Sequence, residues 1–331
     1  MSSFHNTPYE DAEIHDEIPN THVEVISYER TELTKEDKVV FDLIDAPPSH
    51  ANALRRTLLA DVPSVAFDLI GIEQNTSVMP DEVMCHRIGL IPLNVDSSLF
   101  GFPPETPNPQ TDDDKSYVIL FGLHVIGGEG PEPDYSSVDS DYEYELPPTY
   151  TGPSCKVMSS HLVWMPFPGQ TSFFPIPPSV LHDDIEITHL VPGQVVHLYA
   201  RAYKGTGSTH AKFSPVCTAY YRSLPRIEID PCLSDEYKTL LCETCPCHVF
   251  DIEEYGDVVP KNIRNCTMCR ECTRNEQLSS FVKLGTVPNH YEFTVEGLGV
   301  KSAPQLVKEA LQILRDKAYN MKQAVEDARP K

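Results

Sequence analysis

The sequence predicts an α+β protein. Short apolar runs of β-branched and aromatic residues recur along most of the chain, a helical pattern stands near each end, and six of the ten cysteines crowd between Cys242 and Cys272. At 331 residues and 40% apolar content the chain can bury at least one sizeable core, and its length suggests two or three domains.

His22 to Glu29 and Lys38 to Ile44 read as a strand hairpin with a polar turn around Lys35-Glu36-Asp37. Ser49 is placed to cap a helix from about His50 to Ala60, with Ala51, Leu54 and Leu58 on one face, and Val62-Pro63 stops it. Ser64–Glu73, Ser116–Val125, Leu162–Pro166 and Gln194–Tyr203 read as further strands, and Ser214–Asp230 as a pair of strands. Tyr291, Phe293 and Val295 alternate with polar residues as a half-buried strand requires. In the last helix Ser302 and Gln305 match a capping box, and Val307, Leu311, Leu314, Ala318, Met321 and Val325 step by four and three into an apolar seam. By pattern alone that seam suits either the chain's own sheet or a partner helix.

The net charge of −23 argues against a general DNA-binding surface. It is concentrated in appendages. Residues 1–29 hold seven acids and no Lys or Arg, and residues 101–155 hold eleven acids against Lys115, in stretches whose Pro, Gly and Ser content reads as loop or tail. No run approaches the roughly 18 apolar residues of a membrane span, and the start of the chain lacks a secretory profile, so a soluble intracellular protein is expected.

In a reducing compartment, cysteine groups favour metal over disulfides. Cys266-x-x-Cys269-x-x-Cys272 has the spacing of a cubane cluster, and Cys245-Pro246 supplies the fourth ligand such domains take from a Cys-Pro pair. Val249 to Ile252 and Val258-Val259, across a turn at Tyr255-Gly256-Asp257, fit the hairpin of a ferredoxin half. A [4Fe–4S] cluster on Cys245, Cys266, Cys269 and Cys272 is therefore expected. Zinc on Cys242, Cys245, Cys266 and Cys269 is one alternative, though it leaves Cys272 unexplained, and a decayed site of unligated thiols is the other. No H-E-x-x-H, G-x-S-x-G or Gly-rich dinucleotide motif is present, so no enzyme constellation emerges.

From Asn52 to Asn94 the chain reads NALRRTLLADVPSVAFDLIGIEQNTSVMPDEVMCHRIGLIPLN, which resembles the α-like subunits of multisubunit RNA polymerases. His210-Ala211-Lys212-Phe213-Ser214-Pro215-Val216, Thr218 to Pro225 and Val282-Lys283-Leu284-Gly285 are similar to the eukaryotic branch shared by polymerases I and III. The resemblance implies a discontinuous dimerisation domain (21–64 with 213–232 and 279–331), an inserted β-rich domain (65–212) with an acidic loop at 127–153, a ferredoxin-like insertion (233–278) and an acidic tail (1–20). It also implies a non-catalytic assembly platform in the nucleus, including the nucleolus, that meets DNA only through the complex.

The last helix would pair with a smaller α-like subunit through Leu311, Leu314 and Ala318. Asn52, Arg55 and Arg56 would help grip the second-largest subunit, where guanidinium forks bind carbonyls and carboxylates bidentately. His86-Arg87-Ile88-Gly89-Leu90 would form a turn with close backbone approach at Gly89, and His86, Arg87, His210 and Lys212 would be subunit contacts. An iron–sulfur electron-transfer protein is the rival reading. It lacks neighbouring redox centres, just as a zinc-ribbon nucleic-acid binder lacks a basic stripe.

Overall fold

The computed structural model describes residues 20–31, 37–99, 101–104, 116–131 and 146–328. Residues 1–19 of the acidic tail, the Lys35-Glu36 part of the expected turn, and 105–115 and 132–145 within the acidic stretch lie outside the described residues. The chain opens with β1 (His22–Arg30), β2 (Asp37–Ile44) and helix α1 (Pro48–Ala60). The helix begins at Pro48, one residue before the expected Ser49 cap, because proline's fixed φ suits a first helical position. Ala51, Leu54 and Leu58 are all buried, as their spacing predicts.

Next come β3 (Pro63–Asn75), α2 (Asp81–Gly89), β4 (Ile119–Ile126), β5 (Thr149–Tyr150), β6 (Lys156–Met158), β7 (Val163–Met165), β8 (Glu186–His189) and β9 (Val195–Thr206). β9 pairs antiparallel with both β3 and β4, β5 runs parallel to β4, β7 joins β4, and β6 pairs with β8. A bridge between Gly128 and Gly152 closes the base of the acidic excursion.

α2 corrects one expectation. His86 to Leu90 is not a turn: His86 to Gly89 form the last turn of this helix and Leu90 its C-cap. The signals were in the sequence, with Pro80 ahead, Asp81 and Glu82 in the first turn and His86 and Arg87 in the last. Nor does close approach require Gly89, since a β-carbon there would sit 3.6 Å from the Phe67 carbonyl, an ordinary contact. Ile88 is buried in the core while Leu90 is exposed.

The chain continues through β10 (Val216–Ile229), α3 (Asp235–Thr244), β11 (Asp251–Ile252), β12 (Val258–Val259), α4 (Glu271–Arg274), β13 (Val282–Gly297) and α5 (Ala303–Asp327). β11 and β12 form the expected antiparallel hairpin, with Gly256 at φ +85 in its turn. β1, β2, β13 and β10 form a four-stranded sheet in that order. Residues 214–230 therefore supply one long strand, not two. Pro225 lies within it, and β10 stands at the edge of the sheet, where proline is tolerated.

The capping box at α5 also fails. Ser302 holds the N-cap position without a side-chain hydrogen bond, and Gln305 reaches Glu309 instead. Pro304 removes one N–H that Ser302 would cap, and the buried Asp37 carboxylate accepts from Ala303 N–H at 2.6 Å.

The chain divides into two compact units, one within residues 1–26, 41–51 and 221–293, the other within 27–40, 52–220 and 294–331. In the first, Phe41 stacks on Phe293 at 5.1 Å between ring centroids, with Tyr221 tilted against Phe293. A separate apolar cluster there joins Leu241, Val249, Phe250, Leu278 and Val282. In the second, Phe67 meets Phe121 edge-on within a core that includes Met84, Ile88, Leu93, Ile119 and Leu198.

Candidate functional site

α5 buries one face and exposes another. Ala303, Leu306 and Ala310 are buried, whereas Leu311 is 45%, Met321 68% and Val325 54% exposed. Ala318 is also exposed, and Val307 and Leu314 are half-buried. The buried residues step by three and four along a line rotated from the seam, so the chain's own packing leaves most of the heptad stripe open. Near the helix base Lys301 donates to both oxygens of Glu309, and farther along Lys317 lies 2.8 Å from Asp61. Tyr319, 61% exposed, adds apolar surface that the seam pattern did not include.

Of the α1 candidates, Arg56 is exposed, while Arg55 donates to Asn52 Oδ1 at 2.9 and 3.3 Å and is thereby preset one turn from it. Three other candidates converge. His86 on α2, with His210 and Lys212 after β9, lines one hollow of about 280 Å³ floored by Phe67 and Ile70. His210 Nδ1 accepts from Lys212 N–H and caps a short 3-10 turn, which aims Lys212 at Asp68 while its ammonium lies 5.1 Å over the Phe213 ring. Arg87 faces elsewhere and donates to the carbonyls of Glu186 and Ile187, so it ties α2 to β8.

The four expected cluster ligands also converge. Cys245, Cys266, Cys269 and Cys272, joined by Cys247, line a tight cavity walled by Ile227, Val249, Phe250 and Leu284. A turn closed by His248 N–H onto the Cys245 carbonyl brings Cys247 round, and left-handed Met268 and Arg270 wrap the second group. Burial pushes the Cys272 thiol up, and Cys245, Cys266 and Cys269 push it further.

Cys242 does not line this cavity. α3 runs through Thr244, so Cys242 and Cys245 are not the two ends of a non-helical knuckle. Among the described residues no group of three or more His, Cys, Asp or Glu is already arranged about a metal position. The donor chemistry nevertheless fits a thiophilic centre: soft sulfur donors inside an apolar shell.

Beside this cavity lies an ionic network that sequence reading missed. Arg264 donates from both terminal nitrogens to Asp42, at 3.0 and 2.6 Å, and also to Glu292. Arg222 donates to Glu292 at 2.8 Å and to the Arg264 carbonyl, and His290 Nε2 lies 2.9 Å from Asp42. Burial alone would raise the Asp42 carboxyl, but its hydrogen bonds to Arg264 and His290 prevail and hold it below the usual range. Asp42 within Val39-Val40-Phe41-Asp42-Leu43-Ile44 was the available signal, a lone acid inside an apolar strand.

An interrupted sheet with a long helix whose apolar stripe is uncovered defines a dimerisation scaffold. The pattern of the RNA polymerase Rpb3/Rpb11 dimerisation domain matches residues 40–318, and the chain belongs to that family. It is 37% identical over 288 residues to the human "DNA-directed RNA polymerases I and III subunit RPAC1", covering 85% of this chain and 80% of that protein. The Saccharomyces cerevisiae protein of that name is 36% identical over 285 residues, 85% of this chain and 82% of its own. A Dictyostelium discoideum counterpart is 34% identical over 293 residues, 87% of this chain and 79% of that protein.

Proposed function

We propose that this chain is the α-like, non-catalytic assembly subunit of DNA-directed RNA polymerases I and III, working in the nucleus and, with polymerase I, in the nucleolus. It pairs with a smaller α-like subunit through α5 and docks the second-largest subunit through α1 and the hollow of His86, His210 and Lys212. The exposed seam residues Leu311, Ala318, Met321 and Val325 carry this reading, because a row of exposed apolar side chains along one helix face marks a partner site. The polymerase relatives match across most of the chain, and nothing favours the electron-transfer alternative. Co-expression with the smaller subunit and then with the second-largest subunit tests it. A binary and then a ternary complex at equal stoichiometry is expected, and a chain that stays alone with both partners present would overturn it.

The thiol cavity is the second part of the proposal. Cys245, Cys266, Cys269 and Cys272 hold a [4Fe–4S] cluster, with zinc on Cys242, Cys245, Cys266 and Cys269 as the alternative. Such a centre stabilises its small domain, because ligation free energy becomes folding free energy where about 46 residues bury too little apolar surface alone. The convergence of these thiols on one apolar-walled cavity supports this reading. Iron, acid-labile sulfide and zinc per chain, measured on protein purified without oxygen, decide it. About four irons and four sulfides are expected.

A further inference from the structure

The ionic network lies outside the residues assigned to pairing and docking, and it holds the backbone that leads into the cysteine triplet. Asn262 N–H donates to the Val249 carbonyl, Ile263–Asn265 form a 3-10 turn, and Cys266 N–H donates to the Ile263 carbonyl. Arg264, within that turn, stands two residues before Cys266. Its side chain forks onto Asp42, 222 positions away in sequence, and its own carbonyl accepts from Arg222. The turn is thus gripped by side chain and backbone together, by residues of β2, β10 and β13. Asp42 is 2% and Glu292 8% exposed. At such sites a forked guanidinium is geometrically exacting, and withdrawing it leaves a buried carboxylate uncompensated.

We infer that Arg264, held by Asp42, Glu292 and Arg222, is a positioning residue for the thiol site: it fixes the turn from which Cys266, Cys269 and Cys272 are presented to the cavity. This rests on the reading of the thiol cavity as a metal site. Outer-shell partners orient ligands, and their loss costs about 10- to 100-fold in metal retention. Lysine cannot replace Arg264, because a point charge does not reproduce the fork.

The test uses the full chain co-purified with its smaller partner, without oxygen. Metal content is measured first, and then the rate of metal release to a chelator in excess, together with the urea midpoint. Arg264→Met, Arg264→Lys and the isosteric Asp42→Asn should each release metal about 10- to 100-fold faster than the unaltered protein. The control is Phe41→Leu, which loosens the ring stack beside Asp42 and leaves the clamp in place. It should lower the urea midpoint while releasing metal at the original rate. Unchanged release from Arg264→Met and Asp42→Asn, in protein that holds metal, would overturn the clamp alone. Equal acceleration by Phe41→Leu would reduce the clamp to general stability and also overturn it. Unaltered protein that holds neither iron nor zinc would overturn the metal site and the clamp together.

Discussion

Replacing Leu311, Met321 and Val325 together by glutamine should abolish tight pairing with the smaller subunit while sparing the fold. Fully burying a side chain of this kind is worth about 1.5–3 kcal/mol. With 45%, 68% and 54% of these residues still exposed, the part left for a partner to cover is worth about 1 kcal/mol each. Leu311 lies about 15 Å along the helix from Met321, so its contribution adds to that of the other two. The total, about 3 kcal/mol, corresponds to a loss of roughly 100-fold or more in affinity. Glutamine is a good helix former, so α5 keeps its propensity. Titration of the labelled smaller subunit gives the affinity, and the urea midpoint of the isolated chain gives the stability. Undiminished pairing would show that the stripe is not the interface. A fall in the isolated chain's midpoint would show that it packs on its own chain after all.

Reversing Arg55 and Arg56 to glutamate should leave pairing intact and weaken capture of the second-largest subunit by about tenfold or more; co-purification at unchanged stoichiometry counts against the docking role. Cys245→Ser should lose its iron while Cys242→Ser keeps it, and equal iron in the two would refute the ligand set. A β-carbon at Gly207 would clash with the Leu59 carbonyl at the end of α1, so Gly207→Ala should cost about 1–3 kcal/mol in urea unfolding; an unmoved midpoint would mean that the segment yields freely. Asp42, held below the usual carboxylate range when folded, contributes stability that is present above its unfolded pKa of about 3.9 and lost as pH falls through its lower folded value, so Asp42→Asn should flatten the acid limb below about pH 4. Identical acid limbs in the two proteins would remove Asp42 from the account.

What was legible in the sequence was local. The buried face of α1, the hairpin of β11 and β12 and the stripe on α5 each depend on spacing within one element, and periodicity reports that directly. Cys245 and the later triplet, singled out by their C-x-x-C-x-x-C and Cys-Pro patterns, line one cavity, while whether they bind a metal belongs to the proposal. The hollow shared by His86, His210 and Lys212 was not: two elements more than a hundred residues apart build it, and only the family resemblance singled out those side chains. The last turn of α2 is a different kind of miss, since Pro80, Asp81, Glu82, His86 and Arg87 mark a helix there although the resemblance implied a turn.

The least legible part was the exchange of polarity between inside and outside. α5 turns Leu311, Met321 and Val325 to the surface, while β2 and β13 draw Asp42 and Glu292 inside. For a self-sufficient globule both choices cost stability, the first by leaving apolar area wet and the second by desolvating charge. They become favourable only with partners. The buried acids find theirs in Arg264, Arg222 and His290, supplied from distant parts of the same chain. The apolar stripe finds none among the described residues of its own chain, and the proposed function supplies one, the smaller α-like subunit. A binary pattern of apolar and polar residues tells which residues depart from the rule, but not whether the compensation is intramolecular, and that distinction separates a structural clamp from an assembly surface.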